Sequence, residues 1–377
     1  MDNQLHKQER KHTLNESFKK SLLLLFQKFL DSPLDRMLTI KQTQYWNYQF
    51  SVSPTIKDSQ KQHHDLKQNS GKIEPKSAQQ HLKTEYFTKS SDIAKSIYRE
   101  QGGWKSFFRG YPAIPRCALG LFLSNNMEVT NGLMLFKYLS FIGFTEHNQY
   151  ATFLLVTMYS QIGLSLLTYP FHQIQVILNK DIGGTQKQRQ FISFNDAANR
   201  FPKFKSLKNV EANIVQLYYR GYSAFLLTTI LFYHTNLYMN GFILKKYQHF
   251  YKQKQEIGVD LQKDSRVQQM KVLSQYMLLA SQVVATFVAY PFELVYRVQI
   301  AKLSDAISNN NNSQKDPFKI SIRATIKEIM NTKMGKDQRT GYRNLYNGVG
   351  LAVARNMVFL WFMPDALYSL MNRRKKE

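Results

Sequence analysis

The chain has 377 residues, with 51 Lys+Arg against 26 Asp+Glu for a net charge of +25, and aromatic residues make up 14% of it. That charge balance calls for nucleic acid, anionic lipid or an anionic small molecule, and the absence of zinc-ligand spacing or an RNA-binding aromatic signature removes nucleic acid. A single cysteine, Cys117, excludes an internal disulfide framework, and no nucleophile–base pair, metal cluster or phosphate-cradling loop supports an enzyme or a cofactor.

Mean hydropathy is mildly polar, so the apolar residues must be concentrated somewhere. Residues 1–14 form a polar tail. Asp2, Glu9 and Glu16, with no apolar run before Ser21, are unlike a secretory signal or an acid-poor transit peptide. Targeting information is therefore expected to be internal.

Six segments are candidates to cross a bilayer, at 15–42, 112–138, 149–180, 220–247, 270–301 and 349–372. A helical span needs about 20 mostly apolar residues, and the third and fifth segments meet that best. The first surrounds Leu22–Phe26 with Lys19, Lys20, Gln27, Lys28, Asp31, Asp35 and Arg36. Ionisable residues at membrane depth face a wet cavity or a partner, so this helix is expected to line a polar interior. Polar stretches at 46–86, 248–269 and 304–316 read as insertions or loops. His63 and His64 have no third ligand at helical spacing and read as loop residues. A basic tail occupies 373–377.

Self-similarity organises the rest. Three segments carry SPLDRMLTIKQTQ from Ser32, YPFHQIQVILNK from Tyr169 and YPFELVYRVQIAK from Tyr290. Each is followed by a variable loop, a short helical pattern and an aromatic-x-Gly step: Phe108-Arg109-Gly110, Tyr219-Arg220-Gly221 and Tyr346-Asn347-Gly348. Pro33, Pro170 and Pro291 recur after 137 and 121 residues, and the glycines after 111 and 127. A proline inside a helix removes a backbone hydrogen bond and favours a kink. A glycine opening the next helix leaves N–H groups beside the positive end of the helix dipole, which suits a lipid phosphate. The lipid-binding candidates are Arg109, Gly110, Arg220, Gly221, Asn347 and Gly348.

This pattern resembles the mitochondrial carrier signature, most closely that of ADP/ATP carriers, over about residues 15–372. The best match is Pro33-Leu34-Asp35 with Glu100-Gln101-Gly102-Gly103-Trp104-Lys105-Ser106-Phe107-Phe108-Arg109-Gly110. The resemblance implies an all-α membrane protein of six tilted transmembrane helices in three pseudo-symmetric two-helix repeats: 15–138, 149–247 and 270–372. It also implies residence in the mitochondrial inner membrane, both termini on the intermembrane side, cardiolipin as a lipid partner, and short matrix helices near 91–100, 193–201 and 318–331.

In that family each proline motif pairs an acid with a base to close the matrix side. Here the acid positions hold Asp35, His172 and Glu293, and the base positions hold Leu38, Gln175 and Tyr296, so all three bases are missing. Arg36 and Arg297 lie one or two residues away as possible substitutes. The opposite gate would use Glu128 with Asn131 and Asp365 with Tyr368, again without a properly spaced base.

The resemblance also implies a substrate cavity. Lys28 and Arg355 match basic contact positions, and Arg116 falls at or next to another. Thr228, Thr229, Tyr233 and His234 replace the family's residues on the fourth helix, and the arginine expected there is gone. Plainer readings exist: Lys28 pairing with Asp31, Arg355 with Asp365 or a backbone carbonyl, and Tyr233 and His234 as packing residues.

Two broken gates favour a structural or accessory subunit of a larger inner-membrane assembly, respiratory-chain complexes included, with other protein subunits as partners. The alternative is an active carrier exchanging an anionic metabolite or nucleotide.

Overall fold

A computed structural model describes residues 28–46, 87, 89–113, 149–181, 191–207, 217–257, 265–308, 321–334 and 340–361. Among them the protein is helical, with no β-strand. Arg116, Glu128, Asn131, Asp365 and Tyr368 lie outside the described residues, as does most of the second expected span.

The helices in chain order are α1 (28–43), α2 (Ser90–Glu100), α3 (Gln149–Lys180), α4 (Phe194–Leu207), α5 (Tyr222–Glu256), α6 (Ser265–Ser308), α7 (Ile322–Asn331) and α8 (Val349–Trp361). Short 3-10 turns at Gln44–Trp46, Gly103–Phe108 and Tyr342–Tyr346 separate them. Pro33, Pro170 and Pro291 each sit inside a helix that continues past them. The short helices α2, α4 and α7 stand close to where the repeat pattern places them. Ser321 caps α7, its hydroxyl accepting from the Ala324 amide at 3.2 Å, which satisfies one of the free N–H groups of the first turn.

One helical stretch among the described residues, Leu279–Asp305, is long and apolar enough to cross a membrane on composition alone. The other long helices carry polar residues along their length, as in Thr228, Thr229, His234 and Asn236 on α5. Asn236 is buried against α6, donating to Gln282 at 3.3 Å and accepting from Ser281 at 3.4 Å.

The core gathers where the second halves of α3 and α6 meet. Tyr169, Ile174, Ile177, Leu178, Leu294, Val298 and Ile300 pack there with Ala224 of α5 and Ile329 of α7. A smaller cluster seats α2 on α1 through Ile40, Ile93 and Ile97. Large apolar side chains are exposed elsewhere: Tyr159, Leu166 and Leu167 on α3, Tyr238 and Phe242 on α5, and Tyr276, Phe287 and Val288 on α6.

The three glycine steps each press on a proline-bearing helix. A Cβ at Gly110 would strike Asn179 and come within 2.9 Å of the Gln175 carbonyl on α3. One at Gly221 would stand 3.1 Å from both the Tyr169 hydroxyl on α3 and the Tyr296 carbonyl on α6, and one at Gly348 would stand 2.9 Å from the Tyr290 hydroxyl on α6 and 3.2–3.3 Å from Lys41 and Leu38 on α1. Gly110 thus meets α3, Gly221 meets both α3 and α6, and Gly348 meets both α6 and α1. Gly221 and Gly348 also adopt φ of 80° and 94°, a left-handed backbone that side chains disfavour.

Candidate functional site

Asp35 of α1 stands at the centre of a buried charge network. It accepts from Arg297 of α6 at 2.6 Å, Arg355 of α8 at 3.2 Å, and from two amides of α3, Gln175 at 3.2 Å and Asn179 at 2.9 Å. Glu293, one turn before Arg297, accepts from Arg297 at 3.0 Å and from both Arg355 terminal nitrogens at 2.7 and 3.2 Å. Arg297 also donates to the Thr39 hydroxyl. Two carboxylates thus meet two guanidiniums, and four helices are tied at one level. Charged hydrogen bonds of this kind hold together only when both partners remain, since removing one leaves a buried charge unpaired.

The three base positions take three different roles. Gln175 reaches Asp35 by a neutral hydrogen bond. Tyr296 places its ring 5.7 Å from His172 and 5.5 Å from Phe225 of α5, and His172 lies 5.4 Å from Phe225. Leu38 packs with Tyr290 and Ala352. Arg297 supplies a cation between Asp35 and Glu293, and Arg355 supplies the other. Arg36, one residue round the helix from Asp35, points elsewhere: it donates to Gln101 and to the Asp181 carbonyl at 3.0 Å.

A second layer of ion pairs lies beyond this network, toward the C-terminal ends of α3 and α6. Lys180 at the end of α3 pairs with Asp305 near the end of α6 at 2.5 Å, and both are almost fully buried. Arg109 pairs with Asp181 at 2.7 Å and donates to its carbonyl at 3.1 Å. Lys302 of α6 meets Glu328 of α7, which also accepts from Trp46 at 3.1 Å.

The residues of the glycine steps are engaged within the chain. Arg109 turns inward to Asp181. Asn347 donates to the Lys41 carbonyl at 2.9 Å. The Arg220 carbonyl accepts from the Tyr169 hydroxyl, and the Asn347 carbonyl from the Tyr290 hydroxyl. The tyrosine before each of the second and third prolines therefore ties its helix to the following glycine step. Ser32 stands before the first proline, and its hydroxyl has no hydrogen-bond partner among the described residues.

Of the expected cavity residues, Lys28 is exposed at the start of the described part of α1. Thr228 and Thr229 donate to carbonyls one turn back, Ala224 at 2.9 Å and Phe225 at 3.0 Å. His234 is exposed with Nδ1 2.9 Å from the Ile230 carbonyl, and Tyr233 packs edge-on to Phe232 at 5.9 Å. Arg355 is bound to Glu293 and Asp35. Sequence reasoning missed Asn179 and Thr39 as partners of this centre. Asn179 lies one turn beyond Gln175, a signal that the helical period carries.

Among the described residues no group of three His, Cys, Asp or Glu side chains is placed to hold a metal ion. No protein-family model matches the chain, and no curated protein is significantly similar to it.

Proposed function

We propose that this is a multi-pass protein of the mitochondrial inner membrane with the carrier architecture, held in one conformation and serving as a structural or accessory subunit of a larger inner-membrane assembly. The membrane reading rests on an inverted distribution of polarity. Charged side chains fill the centre between α1, α3, α6 and α8, while tyrosines, leucines and phenylalanines of α3, α5 and α6 face outward. Water favours the reverse arrangement; lipid favours this one. The threefold reading rests on the glycine contacts and on the repeated tyrosine ties.

The observation that carries the static role is the double layer of buried ion pairs at one end. Asp35, Glu293, Arg297 and Arg355 close the first layer; Lys180–Asp305 and Arg109–Asp181 close the second. A cycling gate needs two states within a few kcal/mol of each other. Leaving one charge of a buried pair without its partner costs about 3–5 kcal/mol. Opening this end means separating both layers together. Such a molecule serves as a scaffold, with anionic lipid, cardiolipin above all, and neighbouring subunits as its partners.

Native electrophoresis of gently solubilised mitochondria tests this reading. Comigration with a large complex is expected, and migration only as a small free species overturns it. A second reading, an active carrier of an anionic solute, draws support from Arg297 and Arg355, which put cations between the two surviving acids. Uptake into proteoliposomes across a broad panel of anions tests it: exchange abolished by Arg355→Ala supports a carrier, and no uptake removes it.

A further inference from the structure

Asp31 lies on the same face of α1 as Asp35, one helical turn earlier. It is 5% exposed, and its Oδ1 has no hydrogen-bond partner among the described residues. No ion pair is made by Asp31 among the described residues, although Lys28 stands one turn away on the same face. The charges within electrostatic reach of Asp31 are Lys28, Arg355 and Asp35. Arg355 is already committed, its terminal nitrogens to Glu293 and Asp35 and its Nε to Asn356 at 3.3 Å.

His172 stands on α3 at the position that matches Asp35, one helical turn beyond the position that matches Asp31. It precedes Gln175 by one turn, and Gln175 is bonded to Asp35. Its Nε2 is buried with no hydrogen-bond partner among the described residues, while Arg297, Asp35 and Lys28 act on the ring electrostatically and Gln175 lies in hydrogen-bonding reach of it. Asp31 on α1 and His172 on α3 therefore each leave an unsatisfied polar atom near the charge network. A buried carboxylate oxygen left without a donor is costly and asks for an explanation.

We propose that Asp31, with Lys28 one helical turn away, binds a small molecule bearing an ammonium group, with a carboxylate of the same molecule reaching Lys28. An ammonium carries three N–H donors and a compact positive charge, which is what Asp31 lacks. A carboxylate alone would meet Asp31 as a like charge. A metal ion is a poorer match, because no cluster of three suitable side chains is present among the described residues. The chemical class is an amine or amino acid rather than an anion. The route by which a solute reaches Asp31 rests on the six-helix reading proposed above; the unsatisfied atoms do not.

The test uses the purified full chain in detergent and follows the thermal unfolding midpoint with putrescine, ornithine or glutarate at matched ionic strength. A saturable rise of several degrees with ornithine and putrescine, and none with glutarate, is expected. Asp31→Asn, nearly the same shape without the charge, should abolish the rise. Equal shifts for amine and diacid, no shift for any amine, or a shift that persists in Asp31→Asn overturns the proposal. Should Asp31→Asn fail to fold, the contrast between putrescine and glutarate on the unaltered protein decides alone. Migration on native electrophoresis is independent of this result, so the site and the structural role can fail separately.

Discussion

Two junctions at the same level of the molecule are sealed by opposite chemistry. Between α1, α6 and α8 the seal is ionic: Asp35, Glu293, Arg297 and Arg355. Between α3, α5 and α6 it is aromatic: Tyr169 lies 5.0 Å from Tyr222, and His172 and Tyr296 both lie within 5.7 Å of each other and of Phe225. Gln175 and Asn179 join the two, bonding α3 to Asp35 without charge. Each of the two interfaces thus uses its own forces. Ionic seals fail steeply when one partner is removed; ring contacts fail in small steps.

Substitutions can break that comparison, and the largest effect is expected at Arg297. Arg297→Ala leaves Asp35 and Glu293 to share the single cation of Arg355 in a buried site and should destabilise by about 3–5 kcal/mol. Thermal unfolding in detergent would report a large fall in midpoint, and Arg297→Lys should recover only part of it, because a single ammonium cannot reproduce the planar fork. An Arg297→Ala protein as stable as the parent would mean that the ionic junction holds nothing.

Gly221→Ala sharpens the aromatic side. The new methyl would sit 3.1 Å from both the Tyr169 hydroxyl and the Tyr296 carbonyl, on a backbone with φ of 80°. A cost of about 1–3 kcal/mol follows from strain and overpacking. Gly163→Ala is the control: nothing lies within 4 Å of its Cβ inside α3, so it should be neutral or stabilising by up to ~1 kcal/mol.

Smaller still are the single aromatic changes. Tyr169→Phe deletes the hydroxyl that donates to the Arg220 carbonyl and should cost about 1 kcal/mol. Phe225→Leu removes ring contacts to His172 and Tyr296 for about 0.5–1.5 kcal/mol. The smallest effect belongs to Arg200→Ala, whose pair with Asp196 at 2.9 Å is partly solvent-exposed and is worth about 0–0.5 kcal/mol. A ranking by unfolding midpoint that put Phe225→Leu above Arg297→Ala would reverse the account of the two junctions.

The sequence disclosed much of the framework and less of the centre. The proline motifs placed Asp35, His172 and Glu293 at comparable positions of three helices, and the loops between them contained the short helices α2, α4 and α7. The spacing of Glu293 and Arg297, one helical turn, made Arg297 legible as a substitute cation. Arg36 was an equal candidate on spacing, yet its direction on α1 sends it to Gln101 and Asp181. Arg355 read as a cavity residue because its bond to Glu293 spans 62 positions, and no local period encodes such a contact. His172 and Tyr296 read as lost charges. That they meet each other and Phe225 depends on how α3, α5 and α6 pack, which is a property of the fold rather than of any motif. Lys28 and Asp31 carried the opposite lesson: helical spacing favours a pair, and none is made.

The locked closure is the claim on which the rest depends, and side-specific labelling tests it most directly. Lys28→Cys would be introduced with Cys117→Ser, and the protein reconstituted in oriented vesicles. A membrane-impermeant maleimide would then be applied from each side in turn, with and without candidate solutes. The account predicts labelling from one side only under every condition, because the Asp35–Glu293–Arg297–Arg355 layer and the Lys180–Asp305 layer stay shut. Labelling of the same cysteine from both sides would contradict it and identify a molecule that alternates its access.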